Sequence, residues 1–269
     1  MTIHKRFNIH VSGQGKQPLL FAHGYGCDQS MWRLIAPAFE QNYRVLLCDL
    51  AGSGQADPTA YDWTRHASLD GYAADIIDIA RELALERIVF VGHSVSAMIG
   101  LLAAKREPQH FEQLIMVGPS PCYINDAQYT GGFTRTDIEG LIDAVDSNYL
   151  GWASSIAPVI MGTPDRPDLI DELRNSFCRT QPDIARAFAK VTFLSDNRTD
   201  LPSVHLPSLV IQVTNDVIAP VSVGHYVKEQ MPNCELALLD TRGHCPHLSA
   251  PELTIEAMRA FLQRKQSHD

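Results

Sequence analysis

Residues 87–104 read RIVFVGHSVSAMIGLLAA, and the rest of the chain can be placed around this stretch. The short apolar run at 88–91 is rich in β-branched residues, which predicts a buried parallel strand. Residues 92–96 follow without a gap and predict a sharp turn with Ser94 at its tip. The small residues of 97–104 predict a closely packed helix. A strand, a turn and a helix in this order indicate an α/β fold.

The same stretch makes Ser94 a candidate nucleophile. A tight turn between strand and helix exposes a serine hydroxyl above the carboxyl end of the sheet, where the helix N-terminus favours developing negative charge. The usual pattern is G-x-S-x-G, and Ser96 stands in place of its last glycine. The alternative is a turn of small residues that carries a surface serine.

The composition suits one large α/β domain, or one domain with an insertion, in 269 residues of which 45% are apolar. The formal net charge of −9 argues against nucleic acid or an anionic membrane surface as a partner. The sequence has no apolar run of membrane-spanning length and no apolar core of a secretory signal near residue 1. Six cysteines without paired spacing predict reduced thiols and a cytoplasmic location.

A glycine-rich loop, His23-Gly24-Tyr25-Gly26, follows a predicted buried strand at 19–22. Its glycines allow backbone conformations that turn an N–H group into a cleft. Beside a serine nucleophile, an H-G-x-G loop of this kind supplies one donor of an oxyanion hole. We assign the two donors to the backbone N–H groups of Tyr25 and of Val95, the residue after the nucleophile. The alternative is a plain glycine turn.

The remaining core pattern alternates strands and helices. Residues 7–11 and the turn at 12–15 predict an edge hairpin with the strand at 19–22, and residues 28–32 predict the start of a helix. Further elements are predicted as buried strands at 44–48, 114–117, 207–213 and 235–239, and as amphipathic helices at 69–83 and 252–262.

Between residues 120 and 201 the strand signals stop and the apolar spacing becomes helical. We expect a helical lid at 120–201 over a core made of 1–119 and 202–269, with the lid above the serine turn. Some apolar residues of this region are expected to line a pocket. The alternative, for each of them taken singly, is that it packs in the ordinary core. The predicted pocket residues are Tyr123, Phe133, Trp152, Ile156, Phe193 and, beyond the lid, Val217.

An acid and a base follow in the order that a catalytic triad requires. Asp216 comes just after the strand at 207–213, and His244 follows Gly243 in the loop after the last strand. The chain order Ser, Asp, His at the ends of buried strands predicts a triad of Ser94, Asp216 and His244. His247 is the rival base, and we favour His244 because the Gly-His step after the last strand places the base in this arrangement.

A metal site is the other interpretation of His244, Cys245 and His247. Their spacing matches no ligand pair of a tetrahedral zinc site, and no second pair lies nearby in sequence. We therefore expect neither a metal nor an organic cofactor.

Several stretches resemble one branch of the α/β-hydrolases, which contains RsbQ-like bacterial stress-response regulators and plant strigolactone and karrikin receptors. The likeness runs over nearly the whole chain and is greatest to the RsbQ-like members. Ser96 in place of glycine is typical of this branch. The stretches are FAHGYGCDQSMW (21–32), YRVLLCDLAGSG (43–54), VGHSVSAMIG (91–100), SPCYINDAQYTGGF (120–133), NSFCRTQPDIARAFAK (175–190) and RGHCPHLSAPE (242–252).

The resemblance implies an α/β-hydrolase core under a V-shaped lid of four helices, with an apolar internal pocket. It implies slow hydrolysis of small apolar esters or butenolide lactones, and a signalling role with a sensor-domain phosphatase as partner. Ile156 stands where the branch leads us to expect an aromatic residue, which implies a differently shaped pocket. A metabolic esterase and a ligand-hydrolysing signalling protein therefore stay open, whereas filled triad positions disfavour an inactive binding module.

Overall fold

The computed structural model describes residues 1–266 and contains, within that range, one seven-stranded sheet. The strand order is β1-β3-β2-β4-β5-β6-β7, with β1 antiparallel to β3 and every other neighbouring pair parallel. This arrangement confirms the predicted α/β class. The strands are β1 (His10–Ser12), β2 (Pro18–Ala22), β3 (Arg44–Cys48), β4 (Ile88–His93), β5 (Phe111–Val117), β6 (Ser208–Asn215) and β7 (Cys234–Arg242).

Helices pack on both faces of the sheet. They are α1 (Ile3–Arg6), α2 (Leu69–Glu82), α3 (Val95–Arg106), α4 (Arg135–Ser147), α5 (Tyr149–Met161), α6 (Pro167–Arg179), α7 (Pro182–Phe193), α8 (Val221–Gln230), α9 (Pro246–Ser249) and α10 (Pro251–Gln266).

The central strand β4 shows why both faces are covered. Successive side chains of a strand point to opposite faces, so Ile88 and Phe90 join the cluster that contains α2 and α3. Val89 and Val91 join the opposite cluster, which contains the apolar face of α10. A strand buried on both sides has to be apolar throughout, and this is the pattern seen in the sequence.

Four helices, α4 to α7, lie between β5 and β6 in sequence, within the region predicted as a lid. Their ends have clear local causes. A reciprocal pair of hydrogen bonds between Thr134 and Asp137 caps the start of α4, and Gly162 ends α5 in a left-handed conformation. Proline is the first residue of both α6 and α7, where its missing N–H costs nothing. The boundaries of the lid at 120 and 201 stay a prediction.

Two local predictions were wrong. Residues 10–12 form no hairpin with β2, because β2 has both edges occupied by β3 and β4, and β1 pairs with β3 instead. The residues after Asp28 form two short 3₁₀ turns, at Gln29–Trp32 and Ala36–Phe39, rather than an α-helix. Among the described helices, none has the length and apolar character needed to cross a membrane.

Candidate active site

Ser94 sits at a strained turn between β4 and α3. Its backbone has φ of 55° and ψ of −121°, a conformation that costs free energy for a residue other than glycine. Gly92 makes the turn possible, because a Cβ atom there would lie 2.4 Å from the carbonyl oxygen of Ser96. The turn directs the Ser94 hydroxyl away from the sheet, at the N-terminus of α3.

Three side chains from separate loops form one hydrogen-bonded chain. The Ser94 hydroxyl lies 2.8 Å from His244 Nε2, and His244 Nδ1 lies 2.7 Å from Asp216 Oδ2. The other carboxylate oxygen of Asp216 accepts the backbone N–H groups of Ile218 and Ala219, at 2.8 and 3.1 Å. Both Asp216 and His244 are buried. The carboxylate is thus fixed on one side and holds the imidazole on the other.

The end of α5 holds the loop that carries His244. The backbone N–H of His244 donates to the carbonyl oxygen of Ile160 at 2.7 Å. Gly243 has φ of +88°, and a Cβ atom there would lie 1.9 Å from the carbonyl oxygen of Met161. The close approach of the two backbones therefore requires glycine at 243. The hydrogen bond from His244 also gives a partner to the Ile160 carbonyl, which lies at the helix end where carbonyls have no intrahelical donor.

His247, the rival base, makes no hydrogen bond to Ser94 in the part of the chain that the structure describes. It is fully buried, with its ring 4.7 Å from that of Trp32 and 4.4 Å from that of His93. Burial, together with the neighbouring His244, lowers the pKa of His247 to about 3. The geometry therefore brings His244, and not His247, to the serine.

One predicted oxyanion donor, Val95, follows Ser94 in the serine turn, and the other, Tyr25, lies in the glycine-rich loop. Neither the Tyr25 nor the Val95 backbone N–H donates to another residue in the described range. The glycine-rich loop packs closely on the serine turn, since a Cβ atom at Gly24 would lie 2.6 Å from Nδ1 of His93. The backbone N–H groups are thus available for an oxyanion, and their role stays a prediction.

A small apolar cavity of about 30 Å³ lies between the serine turn and the four helices. Of the predicted pocket residues, Tyr123, Trp152 and Phe193 line it. Burial raises the pKa of Tyr123 to about 12, so its hydroxyl keeps its proton near neutral pH. Sequence reasoning missed other lining residues, which carried no signal for a pocket: Cys27, His93, Ile160, Leu173, Phe177, Thr192, Ile218 and Cys245.

Three predicted pocket residues are not on the cavity wall. Val217 is 49% exposed, because the chain turns Ile218 rather than its predecessor inward. Phe133 packs at the side of the main core, where its backbone N–H donates to the carbonyl oxygen of Tyr123. Ile156 packs against the same core and is absent from the cavity wall, although Trp152 and Ile160 of the same helix line it.

The side chain of Tyr25 connects the glycine-rich loop to the helices above it. Its hydroxyl donates to the carbonyl oxygen of Ala185 in α7 at 2.9 Å. Its ring lies within about 6 Å of the rings of Trp152, Phe177 and Phe193. The loop that carries a predicted oxyanion donor is therefore attached to α5, α6 and α7.

We expect Tyr25→Phe to lower the free energy of unfolding by about 1 kcal/mol, because it removes one buried hydrogen bond and keeps the ring. The backbone N–H remains, so kcat should fall less than about tenfold. Urea unfolding and ester hydrolysis measure the two effects. Tyr226→Phe, which removes the same atom outside the cavity, is the control, and unchanged stability in Tyr25→Phe would contradict the expectation.

Comparison with known proteins finds relatives that match nearly the whole chain. The sequence profile of the Alpha/beta hydrolase family matches residues 19–257. The chain is 40% identical to "Strigolactone esterase D14" of Arabidopsis thaliana over 258 residues, covering 96% of both chains. It is 36% identical to "Karrikin insensitive 2 receptor CA" of Petunia hybrida, covering 95% of both.

Solved structures show the same fold. A hydrolase from Oleispira antarctica superposes with a TM-score of 0.94 at 41% identity, covering 97% of this chain and 96% of that one. Both the family profile and these full-length relatives extend across the core and the intervening helices. The chain therefore belongs to the α/β-hydrolase family.

Proposed function

We propose that this protein is a carboxylic ester hydrolase that uses Ser94 as its nucleophile. The observation that carries the proposal is the unbroken hydrogen-bonded chain from Asp216 through His244 to Ser94, buried under the helices and open to the cavity. A hydroxyl is a weak nucleophile until an adjacent base accepts its proton, and this geometry supplies that base.

The proposed reaction has two halves. Ser94 Oγ attacks the acyl carbon as Nε2 of His244 takes the hydroxyl proton, and Asp216 stabilises the resulting imidazolium. The N–H groups of Tyr25 and Val95 bind the oxyanion, after which His244 protonates the leaving alcohol and the acyl-enzyme forms. Water then attacks the acyl carbon, gives its proton to His244 and releases the acid together with free Ser94. These steps require no cofactor.

The substrate we propose is a small apolar ester or lactone. Aromatic and aliphatic side chains dominate the cavity wall, and the enclosed volume of about 30 Å³ admits only a compact group without movement of the wall. The names of the plant relatives, a strigolactone esterase among them, support a butenolide lactone as one such substrate.

A chain-length series of nitrophenyl esters tests this proposal, with a simple butenolide as the lactone. We expect kcat/KM to be highest for acetate or butyrate and to fall for octanoate and longer acyl chains. Equal or rising kcat/KM up to long acyl chains would contradict the proposed substrate size. Absence of hydrolysis of every ester and lactone would contradict the proposed function.

Thr192 offers a polar contact for such a substrate. Thr192 lines the cavity, and its hydroxyl oxygen is buried without a hydrogen-bond partner among the described residues. An unpaired buried hydroxyl costs stability, so a bound ligand oxygen is the partner we expect for it.

Thr192→Val is therefore expected to raise the KM for a preferred ester about two- to tenfold with little change in kcat. The same substitution should increase the free energy of unfolding by roughly 1 kcal/mol, since the unpaired hydroxyl disappears. Steady-state kinetics and urea unfolding measure both. Thr254→Val, in α10 and away from the cavity, is the control, and an unchanged KM in Thr192→Val would contradict the contact.

A signalling role is the second candidate function, with slow hydrolysis of the bound ligand. The plant relatives named as receptors favour it, and so do exposed apolar side chains on the helical region. Leu150, Val159 and Leu194 are each about half exposed there. The partner we propose is a phosphatase that carries a sensor domain.

Capture experiments separate the two candidate functions. Ser94→Ala protein, incubated with a lysate of the native host and a slow lactone, should retain a phosphatase if signalling is the output. A matched Leu150→Glu variant should lose it. Fast turnover of a small ester without phosphatase capture would favour the metabolic esterase. We also propose a cytoplasmic location, which the six free thiols support.

A further inference from the structure

Behind the serine turn lies a buried cluster of three side chains that the proposed hydrolysis does not use. His93, Cys245 and His247 each present one donor atom, and these atoms all lie within 4.8 Å of one another. His93 comes from the end of β4, and the other two come from the loop and short helix after β7. The fold thus brings together groups that are some 150 positions apart in the chain.

The ring nitrogens of this cluster lack partners. Nδ1 of His93 and both ring nitrogens of His247 are buried without a hydrogen-bond partner in the described part of the chain. His93 is 3% exposed and His247 is fully buried. Buried polar atoms without a partner carry a free-energy cost, so their accumulation at one place points to a bound species that satisfies them.

Two imidazoles and one thiol are the donor set that a soft or borderline divalent cation prefers. We propose that His93 Nδ1, Cys245 Sγ and one ring nitrogen of His247 bind a zinc-like cation, and that this cation inhibits the hydrolase. Bond lengths of about 2.1 Å to nitrogen and 2.3 Å to sulfur place tetrahedral donors roughly 3.4–3.6 Å apart. Side-chain movements of about 1 Å close the site. The thiol proton leaves as the Cys245–cation bond forms.

The site reaches the cavity and the triad. His93 and Cys245 both line the cavity, so the proposed cation site adjoins the space that a substrate enters. The other ring nitrogen of His93 donates to the carbonyl oxygen of His244 at 2.8 Å, and Cys245 follows His244 in the chain. A cation that draws His93 and Cys245 together therefore disturbs the loop that positions His244. This is the physical basis of the proposed inhibition.

Calorimetric titration of the chelator-treated protein with zinc chloride tests the binding. We expect one zinc ion per chain, with proton release that appears as a dependence of the heat on the buffer. Titration with cadmium should produce the ultraviolet band of a cadmium–thiolate bond. Cys245→Ala should weaken zinc binding about 100-fold or more and abolish that band. Cys178→Ser, which replaces an exposed cysteine, is the matched control and should bind as the wild type does.

A second variant separates this site from the triad. His244→Ala should still bind one zinc ion, because the proposed ligands are all present. Loss of binding in His244→Ala would move the cation to the triad and overturn the proposal, and so would undiminished binding in Cys245→Ala. Absence of zinc binding to the wild type would also overturn it. These binding measurements do not depend on whether the protein hydrolyses esters.

Inhibition is read as a ratio within each variant. The hydrolysis rate with saturating zinc, divided by the rate with chelator, should be about 0.1 or less for the wild type and for Cys178→Ser. The ratio should stay near one for Cys245→Ala, whatever its rate without zinc. Circular dichroism checks that this variant is folded, and equal zinc sensitivity in a folded Cys245→Ala protein would contradict the inhibitory role.

Discussion

Ser94→Ala is expected to lower kcat for ester hydrolysis by on the order of 10⁴–10⁶, the range for loss of a triad nucleophile. The fold should be unaffected, because the hydroxyl contacts the base and supports little packing. The free energy of unfolding should change by less than about 1 kcal/mol. The initial rate of nitrophenyl acetate hydrolysis, with circular dichroism on the same sample, measures both effects.

Chemical labelling gives an independent result for the same residue. A fluorophosphonate should modify the wild type at Ser94 alone, as peptide mass spectrometry would show, and should not modify the alanine variant. Ser154→Ala removes a hydroxyl from the exposed side of α5 and is the matched control, with wild-type rate and labelling. Retained hydrolysis in Ser94→Ala, or labelling at another serine, would contradict the assignment of the nucleophile.

The second large effect is expected from Asp216→Asn, which should lower kcat about 10⁴-fold. The amide oxygen can still accept the backbone N–H groups of Ile218 and Ala219, so the loop is kept. The amide nitrogen then faces Nδ1 of His244 and, as a donor, favours the imidazole tautomer that cannot accept the serine proton. Substrate affinity should change little, because Asp216 is not on the cavity wall.

Asp240→Asn is the matched control, since it makes the same change at an exposed carboxylate of β7. Its kinetics should equal those of the wild type. A loss of less than tenfold in Asp216→Asn would show that His244 does not depend on this carboxylate. Loss of folded structure in Asp216→Asn would show that the carboxylate serves the loop more than the imidazole.

The parts of this structure that depend on local pattern could be predicted from the sequence. The strand, turn and helix around Ser94 follow from an apolar run, a glycine at 92 and small residues after the turn. The positions of Asp216 and His244 follow from the ends of strands, because parallel strands end at one edge of a sheet. The four-helix arrangement of the region between β5 and β6 was predicted from the family resemblance and not from local pattern.

The parts that depend on long-range packing could not be predicted. Residues 10–12 pair with β3, and nothing local distinguishes that strand from β2 as a partner. The cavity wall depends on side-chain direction, which separates Val217 from Ile218 although both are apolar. The sequence groups Cys245 and His247 with His244 as possible metal ligands and gives no sign of His93, whose approach to them is visible only in three dimensions.

The hydrogen bond between the His244 backbone and the end of α5 has a consequence for access. A large opening movement of α5 would also displace His244, the general base, because the carbonyl oxygen of Ile160 in α5 accepts the backbone N–H of His244. Compact ligands that enter without this movement would meet an intact triad, whereas bulky ligands would enter only while His244 is displaced from Ser94. Selectivity by ligand size would then depend on how fast the triad re-forms after entry as well as on the dimensions of the cavity.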